Sequence, residues 1–253
     1  MFKWGMVAIA ALPLVGCVTQ ETVSFRASNA NQQAIIRDGR NALVSRQKNS
    51  LVLVSPASRQ VQTGGRPVFV VGINNMSPKP VNFLTSQVEA NQMVGEQAYP
   101  MQVITYDALV QEERNRQVGR AILAGLVVGA NAYNASRAGY GSYESTTIGP
   151  RGRTYTTSGT FYSPTAAAIA QNTAAAQNEA VISATIERGQ ANMAMLEQSV
   201  IKDNTLMPGE WYGGQLHLAP PVDGAGDASK NYVLTLQVGN DRHVIDVSQG
   251  PAR

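Results

Sequence analysis

The sequence predicts an α+β protein in which an antiparallel β-sandwich is interrupted by a long helical hairpin. Short runs rich in β-branched residues, separated by Gly, Pro and Asn, occupy residues 50–106 and 205–253. Such runs without intervening helices are typical of an antiparallel sandwich. Between them, residues 107–204 are rich in alanine and repeat apolar residues at spacings of four and three, which indicates helices.

The composition argues against nucleic-acid binding. Charged residues make up 15% of the chain, the formal net charge is +3, and no run of Lys and Arg is present. A nucleic-acid footprint requires clustered basic residues. We therefore predict no nucleic-acid partner.

Residues 1–16 have the pattern of an export signal. Lys3 supplies a positive charge, residues 4–14 form an apolar run, and small residues follow. A helix rises ~1.5 Å per residue, so this run would reach about 17 Å, whereas the hydrocarbon core of a bilayer is about 30 Å thick. The run is too short to be a lasting transmembrane anchor.

The motif Leu14-Val15-Gly16-Cys17 resembles the lipobox of bacterial lipoproteins, which lipoprotein signal peptidase cuts before the cysteine. The resemblance implies that lipid is joined to Cys17 and holds the chain to a membrane. It also implies the periplasmic side of the outer membrane, because Val18 stands where an aspartate favours inner-membrane retention. The inner membrane and the cell surface are the alternatives. Cys17 is the only cysteine, so the mature chain has no disulfide.

Residues 17–49 are polar and poor in aromatic residues. Such a composition buries little apolar surface, so it predicts a flexible segment. We expect a tether that extends the reach of the lipid anchor, with a short helix near residues 31–46.

The blocks 50–106 and 205–253 are predicted to be two parts of one sandwich. Two segments resemble immunoglobulin-like domains of bacterial envelope proteins: Gly72-Ile73-Asn74-Asn75-Met76-Ser77, and Leu206-Met207-Pro208-Gly209-Glu210 followed by Gly213-Gly214-Gln215-Leu216-His217-Leu218. The resemblance implies an immunoglobulin-like sandwich without pointing to one characterised family. The Cys…Trp…Cys signature of true immunoglobulins is absent.

Residues 107–204 are predicted to form an inserted helical hairpin. Asp107 is an acceptable N-cap for the first helix, and Ser163 followed by Pro164 starts the second. Each helix carries an apolar stripe; the stripes are Val118, Ile122, Gly125, Gly129 and Ala132, and Ile182, Ile186, Gly189, Met193, Leu196 and Val200.

We predict that the two stripes form the packing seam of the hairpin. Gly125, Gly129 and Gly189 would then allow the helix backbones to approach closely. The alternative interpretation of residues 125–129 is a glycine zipper that inserts in a membrane or associates with itself.

The segment joining the helices, residues 133–162, is built mainly from Tyr, Gly, Ser, Thr, Asn and Arg. It contains too few aliphatic residues for a core, so we expect a mobile tip with a small β-hairpin around Ser158 and Gly159. Tyrosine offers contact area together with a hydrogen-bonding end. The candidate partner-binding residues are therefore Tyr140, Tyr143, Tyr155 and Tyr162, the alternative being a low-complexity loop without a binding role.

Trp211 begins a predicted strand, where it would either stack on a sugar or pack at the sheet edge. His217 and His243 are the only histidines, and each lies in an alternating strand, which is typical of a surface or a satisfied core position. No nucleophile elbow, phosphate loop or metal-ligand cluster is recognisable. We predict a non-enzymatic protein without cofactor or metal.

These patterns favour a membrane-anchored envelope lipoprotein that acts as a structural or assembly component, for example of a secretion or surface-structure system. Its partners would be the membrane, through the lipid, and a protein of the envelope. The alternative is a lipoprotein that binds peptidoglycan or polysaccharide. Self-association into a homo-oligomer is compatible with either function.

Overall fold

The computed structural model describes residues 20–150, 152–222 and 229–251. The chain divides into two compact units. The helical unit is Thr105–Ser199, and the sheet unit comprises the described residues up to Ile104 and from Val200 onward. Among the described residues, two long helices accompany antiparallel sheets, so the predicted α+β class is confirmed.

The sheet unit contains two six-stranded antiparallel sheets within the described ranges. With strands numbered in chain order, the first sheet consists of β1 (Gln20–Arg26), β5 (Val61–Gln62), β8 (Val88–Val94), β9 (Gln97–Met101), β15 (Lys230–Val238) and β16 (Asp241–Pro251). Its strand order is β5–β1–β16–β15–β8–β9.

The second sheet consists of β2 (Gln32–Arg37), β3 (Arg40–Arg46), β4 (Ser50–Pro56), β6 (Val68–Asn75), β10 (Val103–Ile104) and β14 (Trp211–Leu218). Its strand order is β10–β14–β6–β4–β3–β2. A separate strand pair joins β7 (Val81–Phe83) to β13 (Asn204–Leu206), and a 3₁₀ turn covers Thr85–Gln87.

One hydrophobic core lies between the buried faces of the two sheets. Alternate residues of β6 are buried, because successive side chains of a strand point to opposite faces. Phe69, Val71 and Ile73 from this strand join Leu234 and Ile245 from the first sheet in the same cluster. Each such side chain contributes about 1.5–3 kcal/mol when fully buried. The core is therefore the main source of stability of the sheet unit, and the arrangement agrees with the predicted β-sandwich.

The predicted tether is wrong for residues 20–46, which form β1, β2 and β3 instead of a flexible segment with a helix near residues 31–46. The turn between β2 and β3 is made by Asp38 and Gly39, whose φ angles are 51° and 70°. Asp-Gly is a preferred two-residue hairpin turn, since both positions need a positive φ. The Asp38-Gly39 dipeptide therefore indicates a β-hairpin, although the surrounding residues are polar.

A buried ion pair explains how the polar strand β1 joins the sheet. Glu21 and Lys230 are 4% and 5% exposed, and the Lys230 Nζ donates to Glu21 Oε1 at 2.5 Å. The Gln249 amide donates to the other carboxylate oxygen at 2.6 Å. Burial would raise the pKa of Glu21, but these hydrogen bonds and the Lys230 charge outweigh it and lower the pKa.

A second buried polar group joins the two sheets through His243, which is fully buried in β16. The Ser50 hydroxyl donates to Asp241 Oδ2 at 2.8 Å, so its oxygen is left to accept from His243 Nε2, also at 2.8 Å. His243 Nδ1 then accepts from the Ser45 hydroxyl at 3.0 Å. This pattern satisfies a neutral imidazole with its proton on Nε2.

We predict that His243 makes the sheet unit less stable in mild acid. Burial lowers its pKa to about 4, although the Asp241 charge opposes the shift. The unfolded chain takes up the proton near the ordinary pKa of about 6.5, so the stabilisation is complete above that pH and is lost as the pH falls towards 4, by up to about 3 kcal/mol. Denaturant unfolding at several pH values measures this loss.

The variant His243→Gln should flatten the dependence between pH 6.5 and 4.5, whereas His217→Gln, which removes the other histidine, should retain it. An unchanged slope in His243→Gln would contradict the assignment.

Candidate functional site

The helical unit begins with α1 (Tyr106–Arg137) and ends with α2 (Pro164–Ser199). The N-cap of α1 is Thr105, whose hydroxyl accepts from the Ala108 amide at 3.4 Å; the predicted N-cap, Asp107, lies in the first turn instead. At the start of α2, the Ser163 hydroxyl accepts from the Ala166 amide at 3.3 Å, as predicted. Both caps satisfy an amide that the helix itself leaves unpaired.

Polar side chains form hydrogen bonds across the contact between α1 and α2. The Gln117 amide donates to the Gly189 carbonyl at 3.1 Å, and the Asn131 amide donates to Asn178 Oδ1 at 2.9 Å. Both bonds cross from one helix to the other. We call this contact the polar seam, defined by Glu113, Gln117 and Asn131 of α1 and by Asn178, Gly189 and Asn192 of α2.

Glu113 is the centre of the polar seam. Its side chain is 1% exposed and accepts from Asn192 at 2.9 Å, from Arg116 at 2.9 Å and from Arg120 at 3.3 Å. Burial would raise the pKa of Glu113, but the Asn192 hydrogen bond and the two guanidinium groups outweigh it and lower the pKa. The carboxylate is therefore held in its charged form within the hairpin.

The predicted apolar seam is wrong for most of its residues. A Cβ built on Gly125 or Gly129 would meet nothing within 4 Å, whereas one on Gly189 would lie 3.1 Å from Gln117 Cδ. Ile122 and Ile186 are 62% and 54% exposed. Of the three predicted seam glycines, only Gly189 is at the helix contact. The true seam lies about one residue, or 100° of rotation, from the predicted stripe of α1, and the same holds for Ile182 and Ile186 of α2.

Two strands, β11 (Tyr140–Ile148) and β12 (Thr154–Tyr162), form an antiparallel hairpin between the helices. Ser158 pairs with Glu144 and Gly159 with Tyr143, so both residues lie within a strand. The small hairpin predicted to turn at Ser158 and Gly159 is therefore wrong. The Thr-rich and Tyr-rich sequences of both strands are typical of a sheet, and the connection falls at residues 149–153.

The four predicted tyrosines divide between the two faces of the β11–β12 hairpin. Tyr140 and Tyr162 lie opposite each other, with ring centroids 5.0 Å apart. Tyr143 and Tyr155 lie on the other face, since they occupy the alternate set of register positions. The four side chains are 50–70% exposed. Both faces of the ribbon therefore present aromatic surface.

On the face of the hairpin that carries Tyr143 and Tyr155, two aromatic rings pack over glycines. A Cβ on Gly141 would lie 2.5 Å from the Phe161 ring, and one on Gly159 would lie 2.8 Å from the Tyr143 ring. Each ring therefore lies over a glycine of the neighbouring strand. Such cross-strand pairs stabilise a ribbon that has no hydrophobic core beneath it.

Trp211 belongs to the sheet unit, where it is the first residue of β14 and is 59% exposed. Its ring lies 3.8 Å from the position that a Cβ on Gly72 would take. The side chain thus covers a glycine of the adjacent strand and leaves more than half of its surface accessible. This position allows either of the two roles predicted for it.

Within the described ranges, no group of three or more His, Cys, Asp or Glu side chains could hold a metal ion. Ser50, His243 and Asp241 form a hydrogen-bonded group. In this group the Ser50 hydroxyl is bonded to both His243 and Asp241, and Ser50 is 1% exposed. A serine nucleophile needs its base oriented by a third group and access to substrate. The arrangement serves the core of the sheet unit.

Neither helix in the described part of the chain combines the length and hydropathy that a bilayer crossing requires. The predicted lipid-attachment residue Cys17 and the lipobox residues Leu14, Val15 and Gly16 lie outside the described residues.

The sequence interpretation missed Glu113 as the organising residue of the helical unit. A signal was present, since Glu113, Gln117 and Arg120 recur at helical spacing on one side of α1.

Comparison of the chain with protein-family models, with curated proteins and with solved structures finds no match.

Proposed function

We propose that this chain is a non-enzymatic, lipid-anchored envelope lipoprotein that acts as an assembly component and contacts a protein partner through the β11–β12 hairpin. The observation that carries the proposal is the exposed aromatic surface on both faces of that hairpin. Tyrosine surrounded by Ser, Thr and Gly is the composition of adaptable protein-binding surfaces. Anchoring rests on the lipobox resemblance and on the single cysteine, Cys17.

The sheet unit fits this proposal as an immunoglobulin-like platform. Two packed antiparallel sheets are the general architecture of that class. The Asn75 amide donates to the Leu206 carbonyl at 3.0 Å and to the Lys79 carbonyl at 2.8 Å, which links the two segments that carry the sequence resemblance. The location included in the proposal is the periplasmic side of the outer membrane, with the inner membrane or cell surface as alternatives.

A second candidate function is the binding of peptidoglycan or polysaccharide through Trp211. The observation in its favour is the 59% exposure of this side chain on the sheet unit. Aromatic rings offer an apolar face for contact with a ligand. Sedimentation with purified sacculi separates the candidates, because only the glycan-binding function requires co-sedimentation that Trp211→Ala abolishes.

We predict that Cys17→Ser abolishes lipid attachment. Labelling cells with radioactive palmitate should mark the unchanged chain and leave the variant unmarked, because only a thiol can carry the lipid. The variant should also move from the membrane fraction to the soluble fraction. Equal labelling, or equal membrane association, of the two proteins would overturn the anchoring part of the proposal.

We predict that the hairpin tyrosines contact the protein partner directly. A benzophenone amino acid placed at Tyr143 of the full-length chain should cross-link, in cells, to one protein identifiable by mass spectrometry. Tyr140→Ser, Tyr155→Ser and Tyr162→Ser together should lower the yield about tenfold or more, since truncated aromatic anchors each cost on the order of 1–2 kcal/mol.

The matched control places the benzophenone at Gln97, an exposed position of β9, and should not capture that protein. Capture from Gln97 as well, or a yield unaffected by loss of the tyrosines, would count against the hairpin as the contact surface.

A further inference from the structure

We propose that a second copy of this chain packs against the exposed apolar surface of α1. The inference rests on the proposed assembly function and identifies one partner of the helical unit as the chain itself. The surface in question, which we call the α1 apolar surface, consists of Val118, Ile122, Leu123, Leu126, Val127 and Tyr133. None of these residues belongs to the β11–β12 hairpin.

The α1 apolar surface covers the half of the helix that faces away from α2. Residues 121–130 contain no polar side chain, and the polar seam occupies only one side of α1. Ile122, Leu123 and Leu126 are 62%, 64% and 67% exposed. A helix that is apolar on nearly all sides is normally buried. Within the helical unit, these side chains of α1 are not buried.

The polar seam is the reason that these side chains point outward. Gln117, Ala124 and Val128 are half-buried and share one side of α1 with Asn131, and Gln117 and Asn131 bond to α2. At 100° per residue, Val118, Ile122 and Leu126 lie roughly 110–170° around the helix from that side, so they face away from α2.

The second helix contributes to the same flank. Ile182 and Ile186 follow Val181 and Thr185 by one residue and are 47% and 54% exposed. In an antiparallel pair, a rotation of the same sense turns both helices towards the same side. The opposite side of the pair has a groove lined by both helices; its residues include Asn134, Ala138, Thr173 and Gln177. The isoleucines of α2 therefore lie on the same side of the pair as Val118, whereas Leu123 and Val127, each one residue before a half-buried position of α1, lie on the groove side.

The size of the surface fits a protein neighbour. Val118, Ile122, Leu126 and Tyr133 share one side of α1 and together expose on the order of 500 Å², so two copies would bury roughly 1,000 Å², which is the lower end of a specific interface. The apolar stretch of residues 121–130 is only about 15 Å long, half the ~30 Å thickness of a bilayer core. A second helix matches that length better than a hydrocarbon core does.

The α1 apolar surface is also complementary to itself. If two copies of α1 run antiparallel about a two-fold axis between Gly125 and Leu126, then Leu126 of each copy faces Gly125 of the other. Ile122 likewise faces Gly129, where nothing lies within 4 Å of a Cβ position. Large side chains thus meet glycines, which permits close approach of the backbones. A two-fold interface requires this kind of self-complementarity.

The direct test is disulfide formation in the full-length chain in its own membranes. Leu126→Cys lies next to the proposed axis and should give a disulfide-linked dimer in most of the chains on mild oxidation. Ser183→Cys, on an exposed polar part of α2, is the matched control and should give little dimer, and it accounts for any contribution of Cys17. Equal and low dimer yields from the two variants would overturn the proposal and would favour lipid or another protein as the occupant.

A second test does not depend on oxidation. Two differently tagged full-length chains should co-purify when expressed together, and Ile122→Glu with Leu126→Glu should reduce co-purification about tenfold or more, because carboxylates are strongly disfavoured in an apolar contact. Ser183→Glu with Gln190→Glu adds the same charge at exposed positions of α2 and should leave it unchanged. Equal co-purification of the two charge variants would contradict the inference.

Failure of self-association can be distinguished from failure of the hairpin as a partner-binding surface. Loss of the Leu126→Cys dimer with retained cross-linking from Tyr143 would remove only the self-association. Retained dimer with no cross-linking from Tyr143 would remove only the hairpin as a partner-binding surface.

Discussion

The buried carboxylate of Glu113 is the constraint on which the organisation of the helical unit depends. A charge that is 1% exposed is tolerated only when it is paired and hydrogen-bonded, and here Asn192, Arg116 and Arg120 provide those bonds. Because Asn192 lies on α2, the bond fixes the rotation of both helices about their axes. Once that rotation is set, Val118, Ile122 and Leu126 of α1 lie on the outside of the hairpin.

The buried polar groups of the sheet unit are placed differently from those of the helical unit. Its ion pair, Glu21 with Lys230, and its imidazole, His243, are satisfied at the margins of a large apolar core. The apolar residues of the strands can therefore stay inside. In the helical unit, polar groups take part in the helix contact itself, and large apolar residues such as Ile122, Leu123 and Leu126 are exposed. This contrast is why we assign the interaction surfaces to the helical unit.

The sequence predicted the class of the protein and the start of α2 because these depend on local patterns: strand-like alternation, alanine content, and Ser163 before Pro164. It could not predict the seam, since helical periodicity identifies a stripe but not what the stripe faces. The polar composition of residues 17–49 led to the wrong prediction of a flexible tether. The Asp38-Gly39 turn favours a β-hairpin there despite that composition. The β11–β12 register was missed because Ser158 and Gly159 are common both in turns and in strands that pack rings over glycine. Lipid attachment at Cys17 stays a prediction.

A double-mutant cycle on the helical unit measures whether the Glu113–Asn192 bond holds α1 and α2 together. The free energy of unfolding of the helices, followed by far-UV circular dichroism, would be measured for Glu113→Ala, Asn192→Ala and the double variant. We expect a coupling energy of about 1 kcal/mol or more for this hydrogen-bonded pair. The same cycle for Ile122→Ala and Ile186→Ala, which would face each other in an apolar seam, should give a value near zero. Strong coupling between the isoleucines and none between Glu113 and Asn192 would contradict the polar seam.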